Sequence, residues 1–91
     1  MIFDADVLIA DDDENIRFML KKMLEREGFR VYPAENGEAA VAIVRKRKVH
    51  AAVLDIQMPK MDGISALREI KRIDPGIEVL IITGNANLDS L

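Results

Sequence analysis

The segment AAVLDIQMP, residues 51–59, is an apolar run that ends in a single carboxylate, Asp55, and is then broken by Pro59. Small and branched apolar residues between turn residues are typical of a strand buried on both faces, as in a parallel sheet covered by helices. In open α/β sheets, ligands bind beyond the carboxyl ends of the strands. Asp55 therefore lies where a functional group is expected, and a carboxylate that caps the following turn is the structural alternative.

Short apolar runs predict three further strands, at residues 7–10, 29–33 and 77–82, the last of them buried. Between the strands, apolar residues recur at helical spacing, which predicts helices from Asn15 to before Gly28, after Asn36 and after Asp62. Asn36 and Asp62 are candidate N-caps, and Pro33 places the second strand at a sheet edge or ends it there. The order βαβαβαβ predicts an α/β fold with a doubly wound parallel sheet.

The first predicted helix is amphipathic. Its apolar face carries Met19 and Met23 together with Ile16, Leu20 and Leu24, while Arg17 lies with other charged residues on the opposite face. Four consecutive basic residues, 45–48, follow the second helix. We interpret them as cations that complement a helix C-terminus, with a nucleic-acid patch as the alternative.

Composition restricts the class of protein. The 91 residues are 49% hydrophobic with a net charge of -3, which indicates one small globular domain and argues against a nucleic-acid-binding surface. The absence of cysteine excludes a disulfide framework and a thiolate metal site. No apolar run approaches the roughly 20 residues of a membrane span, so we expect a cytoplasmic protein without a membrane contact.

Polar residues follow three of the predicted strands: Asp11, Asp12 and Asp13 after the first, Asp55 on the third and Thr83 after the fourth. The carboxyl ends of parallel strands share one edge, so these side chains are expected to converge. Clustered carboxylates need a counter-ion, and oxygen ligands favour a hard cation such as Mg²⁺. One aspartate could then attack phosphorus, with Gly84 leaving space for the phosphoryl group. The alternative for the first cluster is charge that stabilises the N-terminus of the following helix.

Three other site types fail on the residues. Asp11-x-Asp13-x-Asn15 resembles the start of an EF-hand loop, but Ile16 replaces its glycine and Lys22 its final glutamate. A haloacid-dehalogenase-like phosphatase needs a second aspartate where this chain has Gln57. A nucleotide site of the Walker type lacks its glycine-rich lysine loop.

Three segments together resemble the receiver domain of two-component response regulators. They are VLIADDDENIR at 7–17, LDIQMPKMDG at 54–63 and VLIITG at 79–84. Their order and spacing match that family over nearly the whole chain. The resemblance implies the flavodoxin-like, CheY-like strand order 2-1-3-4.

The resemblance also implies a role for each matching residue. Asp55 would be the phosphoacceptor, served by a sensor histidine kinase or a phosphotransfer protein. Asp11, Asp12, Asp55 and the backbone carbonyl of Gln57 would hold Mg²⁺, with Asp11 acting through water. Thr83 would be the switch hydroxyl. Pro59 and Gly63 would shape the loop beside the site, and Gln57 and Asn85 would tune the lifetime of the phosphate.

The chain also departs from the family pattern. The lysine and the aromatic residue of a fifth strand have no counterpart in residues 1–91, although residues 87–91 could open a further helix. We therefore expect a receiver domain truncated before its fifth strand, with an output domain or partner beyond residue 91. Such a domain would not be an enzyme beyond self-phosphorylation from small donors and autodephosphorylation. The competing hypothesis is a receiver-fold interaction module that forms a homodimer or swaps domains through its truncated edge, without productive phosphorylation.

Overall fold

Strands and helices alternate along residues 5–83, the part of the chain that the computed structural model describes. Their bounds are β1 (Asp6–Ala10), α1 (Glu14–Arg26), β2 (Arg30–Ala34), α2 (Gly37–Lys46), β3 (Ala51–Asp55), α3 (Gly63–Ile73) and β4 (Glu78–Ile82). The predicted order βαβαβαβ is confirmed, and each predicted strand lies within one residue of the observed one. The helix suggested for residues 87–91 lies outside the described residues.

The four strands form one parallel sheet in the order β2-β1-β3-β4, as the resemblance implied. β1 therefore lies between β2 and β3, and Leu8 stands between Tyr32 and Ala52 in the register. Pro33 falls on β2, which is at an edge, where its missing N–H removes no bond from a central ladder. This arrangement brings the carboxyl ends of β1, β3 and β4 to one edge of the sheet.

Side-chain caps begin the helices. Asn36 Oδ1 accepts a hydrogen bond from the Ala39 amide at 2.8 Å, and Asp62 Oδ1 accepts one from Ser65 at 2.7 Å. Both predicted N-caps are confirmed, and each satisfies an amide that has no partner within the helix. Among residues 5–83, no helix is both long enough and apolar enough to cross a membrane.

The basic run at 45–48 makes contacts within the domain. Arg45 Nη2 donates to Glu69 Oε1 at 3.1 Å, and Lys48 Nζ lies 3.4 Å from Asp74 Oδ2. Exposed pairs of this kind contribute little to stability, because solvent and salt screen them. They agree with the interpretation of the run as the charged end of α2 and its loop.

The main core lies on the face of the sheet that α2 and α3 cover. Leu8 and Leu54 are fully buried there against Val41 and Ile70, with Ala40, Ala52 and Ala66 filling the space between elements. Small residues at these positions allow the helices to approach the strands closely. The core therefore reaches the sheet edge that carries the acidic residues, since buried Leu54 directly precedes Asp55.

The opposite face is only partly covered, and here one prediction was wrong. Met19 and Met23, on the predicted apolar face of α1, are 51% and 53% exposed. Leu80 is 60% exposed, so the prediction that β4 is a buried strand was wrong. α1 packs mainly over β2 and β1, and part of its apolar face stays exposed. An open groove of about 400 Å³ runs beside it, lined by Val7, Leu24, Phe29, Ala51, Ala52, Val53, Glu78, Val79 and Leu80.

Candidate functional site

The acidic segment after β1 divides into three different environments. Asp11 is buried, its amide donates to Ala34 O at 3.1 Å and its Oδ1 accepts from the Asp13 amide at 2.8 Å. Asp12 is exposed. Asp13 points away to cap α1, accepting from Asn15 at 2.9 Å and Ile16 at 3.2 Å. The structural alternative, charge at the start of the first helix, therefore holds for Asp13.

Asp55 is the last residue of β3 and is 5% exposed. Its Oδ1 accepts a hydrogen bond from the amide of Gln57 at 3.2 Å, so the carboxylate turns back over the loop that follows the strand. This hydrogen bond matches the predicted structural alternative, in which the Asp55 carboxylate caps the turn that follows it. The turn uses one carboxylate oxygen and leaves the other available.

The sheet brings three of the predicted site residues together. One carboxylate oxygen from each of Asp11, Asp12 and Asp55 lies within 4.8 Å of the others. Burial raises the pKa of Asp11; the hydrogen bond from Asp13 opposes this rise, and the carboxylates of Asp55 and Asp12 reinforce it. The cluster is an all-oxygen donor set of the kind that hard divalent cations bind.

Thr83 lies on the same edge of the sheet. Ile82 stands opposite Asp55 in the parallel register, and the Ile56 amide donates to Ile82 O at 2.9 Å. Thr83 follows directly and is exposed. Its role as a switch and that of the Gln57 carbonyl as a ligand stay predictions. Gly84 and Asn85, which were assigned roles beside Thr83, lie outside the described residues.

The loop from β3 to α3 has a backbone that the sequence did not indicate. Lys60 and Met61 adopt φ values of 49° and 83°, which residues other than glycine rarely adopt. Met58 in the same loop is buried. Gly63 closes the loop by donating to Ile56 O at 3.0 Å. A Cβ at Gly63 would lie 2.2 Å from Asp55 O, so the predicted shaping role of this glycine has a steric basis.

Sequence reasoning missed Arg17, which was assigned to the solvent-facing side of α1. Its Nη1 donates to the backbone carbonyl of Asp11 at 2.7 Å. An arginine in the second turn of a helix carries no sequence signal for this contact, because the acceptor is a main-chain atom whose position depends on the turn after β1.

A sequence model of the family described as response regulator receiver domain matches residues 7–91. The chain belongs to the response regulator receiver domain family. The receiver domain is 39% identical over 90 residues to sporulation initiation phosphotransferase F of Bacillus subtilis, covering 99% of this chain and 73% of that protein. It is 40% identical to the transcriptional regulatory protein ZraR of Klebsiella oxytoca over 94% of this chain but only 19% of that protein.

The fold agrees with solved receiver structures. The chain superimposes on one chain in the crystal structure of the CheX–CheY–BeF3–Mg²⁺ complex from Borrelia burgdorferi, with a TM-score of 0.85 and 32% identity. The match covers 94% of this chain and 66% of the other. The resemblance stated from the three sequence segments is thereby confirmed, and so is the CheY-like topology of the sheet.

Proposed function

We propose that this receiver domain accepts a phosphoryl group on Asp55 with Mg²⁺ held beside it. The observation that carries the proposal is the convergence of Asp11, Asp12 and Asp55 within 4.8 Å. Three carboxylates this close repel one another when ionised, and a divalent cation removes that repulsion. The same cation would allow an anionic phosphoryl group to approach an anionic nucleophile.

The residues fit magnesium. Mg²⁺ binds oxygen ligands at about 2.0–2.1 Å, so two ligands on opposite sides of it lie about 4.2 Å apart. The carboxylate oxygens lie within 4.8 Å of one another, so small side-chain rotations would bring them to this separation. Exposed Asp12 leaves the site open to the waters that Mg²⁺ usually retains, through which Asp11 would act. The Gln57 carbonyl would supply a further ligand from the loop after Asp55.

The orientation of Asp55 supports a role in phosphoryl transfer. One oxygen is engaged by the Gln57 amide, and the other attacks phosphorus. An O–P bond forms while the P–N bond of a phosphohistidine donor, or the P–O bond of acetyl phosphate, breaks, and the leaving atom keeps the bonding electrons. The hydroxyl of Thr83, one residue beyond the partner of Asp55 in the register, would then donate to a phosphoryl oxygen.

The relatives support this proposal and suggest the partners. One carries phosphotransferase in its name, and a solved complex of another contains Mg²⁺. We infer that the donor is a sensor histidine kinase or a phosphotransfer protein in the cytoplasm. The small share of ZraR that the domain spans suggests an output domain in the same chain or a separate partner. No enzymatic activity is proposed beyond self-phosphorylation from small donors and autodephosphorylation.

The test is incorporation of radiolabelled phosphoryl from acetyl phosphate, with Mg²⁺ or with EDTA. We expect Mg²⁺-dependent labelling that Asp55→Asn abolishes. Asp74→Asn is the matched control, because Asp74 caps the far end of α3 and an asparagine can still accept from Gly76. Mg²⁺ binding is measured separately by calorimetry. Labelling that persists in Asp55→Asn, or that ignores EDTA, would contradict the proposal.

A second candidate function rests on the exposed apolar surface beside α1. Leu80 is 60% exposed on β4 and borders the open groove, and Met19 and Met23 on α1 are also more than half exposed. Such a surface favours association with another chain, as a dimerisation or interaction module that does not need phosphorylation. The two functions differ in one observation: association that is unchanged in Asp55→Asn and without Mg²⁺ favours the module.

A further inference from the structure

Arg17 ties the start of α1 to the acidic segment at two points. Its amide donates to Asp13 O at 2.9 Å, and this hydrogen bond closes the first turn of the helix. Its guanidinium, on a half-buried side chain, donates to Asp11 O at 2.7 Å. A charged donor on a carbonyl makes one of the stronger hydrogen bonds available to a protein. The second contact therefore adds a constraint that the helix alone does not supply.

That carbonyl belongs to the peptide that joins Asp11 to Asp12. The Asp11 amide is already held by Ala34 and its carboxylate by Asp13, so the guanidinium holds the remaining polar group of this residue. Rotation of the peptide would swing Asp12, whose exposed carboxylate depends on the backbone for its position. With the peptide held, the oxygens of Asp11 and Asp12 stay within reach of Asp55.

We infer that Arg17 is a positioning residue for the metal site and acts through the Asp11 carbonyl. This inference rests on the proposed function, since it assumes that the cluster binds Mg²⁺. The guanidinium contacts a main-chain oxygen rather than a carboxylate, so its effect is on the geometry of the ligands. Loss of an outer-shell partner typically lowers metal affinity by about 10–100-fold. Arg17 is one peptide removed from Asp12, so we expect the lower end, about 10-fold.

The experiment is Mg²⁺ titration by calorimetry of the wild type, Arg17→Met, Arg17→Lys and Arg26→Met. Methionine keeps the apolar stem and the helix propensity while removing the donor. Arg26→Met removes the same charge from the last turn of α1, far from the cluster. We expect affinity about 10-fold weaker in Arg17→Met, partial recovery in Arg17→Lys, whose ammonium can reach a carbonyl, and less than a twofold change in Arg26→Met.

Several results of the titration would overturn the inference. Equal Mg²⁺ affinity in Arg17→Met and wild type overturns the inference, as does equal weakening by Arg26→Met or no recovery with lysine. The loss is expected to persist at high salt, because a hydrogen bond to a carbonyl is not screened as distant charges are. A loss that vanishes with salt overturns the positioning role.

Folding and the proposed function are controlled separately. If Arg17→Met does not melt cooperatively, Arg17→Gln takes its place. The glutamine side chain is too short for its amide group to reach the position of Arg17 Nη1. Wild-type affinity in Arg17→Gln then overturns the inference. A wild-type protein that binds no Mg²⁺ removes the proposed function itself, whereas a binding wild type with an unaffected Arg17→Met removes only the role of Arg17.

Discussion

Gly63→Ala tests the junction between the acceptor strand and α3. A methyl group at Gly63 would lie 2.2 Å from Asp55 O, 2.8 Å from Ile56 Cα and 2.9 Å from Asp55 C. Ordinary contact begins at 3.4 Å, so the two backbone segments must separate by about 1.2 Å. All three neighbours are main-chain atoms, and no rotamer change can relieve the overlap.

The expected cost follows from this geometry. Overpacking of a filled site costs about 1–3 kcal/mol, and a purely main-chain clash belongs at the upper end, about 2–3 kcal/mol. A domain of this length has a free energy of unfolding of about 5–14 kcal/mol. The substitution should therefore lower the melting temperature by roughly 10–20 °C. Thermal unfolding followed by far-UV circular dichroism measures the shift.

Gly76→Ala is the control for the same change in chain entropy. A methyl group there would meet only Asp74 Oδ1, at 3.3 Å, and that side-chain oxygen can move. We expect a change in stability within about 1 kcal/mol of zero. If Gly63→Ala and Gly76→Ala melt within about 2 °C of each other, the steric reasoning about Gly63 is refuted.

Three further predictions concern the acidic site, a helix cap and the exposed face. Burial and the neighbouring carboxylates raise the pKa of Asp11 in the folded state. The contribution of Asp11 to stability is therefore present below its unfolded-state pKa of 3.8 and is lost as pH rises through its higher folded-state pKa. In metal-free buffer, Asp11→Asn should therefore have a higher melting temperature than wild type at pH 7, and this difference in melting temperature should shrink as pH falls toward 3.8. An equal difference at both pH values would contradict the prediction. Asn36→Ala removes the cap of α2 and should cost about 1 kcal/mol, or roughly 4–8 °C in melting temperature, whereas the same change at exposed Asn15 should leave melting nearly unchanged. Leu80→Lys should lower concentration-dependent light scattering because Leu80 is 60% exposed beside the groove; a monomeric wild type at all concentrations would count against association through this face.

The partly covered sheet face explains why the apolar face of α1 and the strand β4 are more exposed than their sequences suggest. Met19 and Met23 recur at the spacing of a buried stripe, yet each is more than half exposed. Periodicity reports which face of a helix turns toward the sheet, but the amount of sheet available to cover that face is a property of the whole assembly. Leu80 is exposed for the same reason, since α1 packs mainly on β1 and β2.

Local chemistry allowed the sequence alone to determine the elements and their order. The run at 51–55, the caps Asn36 and Asp62 and the proline of the edge strand act through neighbouring residues, and the structure agrees with each of them. The family followed from three short segments. In all of these cases the information lies within a few residues of the feature it predicts.

Tertiary structure alone decided how the acidic residues differ. Asp11, Asp12 and Asp13 are chemically identical neighbours, but one is buried, one is exposed toward the cluster and one caps a helix. These differences depend on where β1 ends relative to β2 and β3. The contact of Arg17 with a main-chain oxygen has the same origin. A sequence pattern identifies the groups available, whereas the distances between groups far apart in the chain are set by the packing that brings the strand ends together.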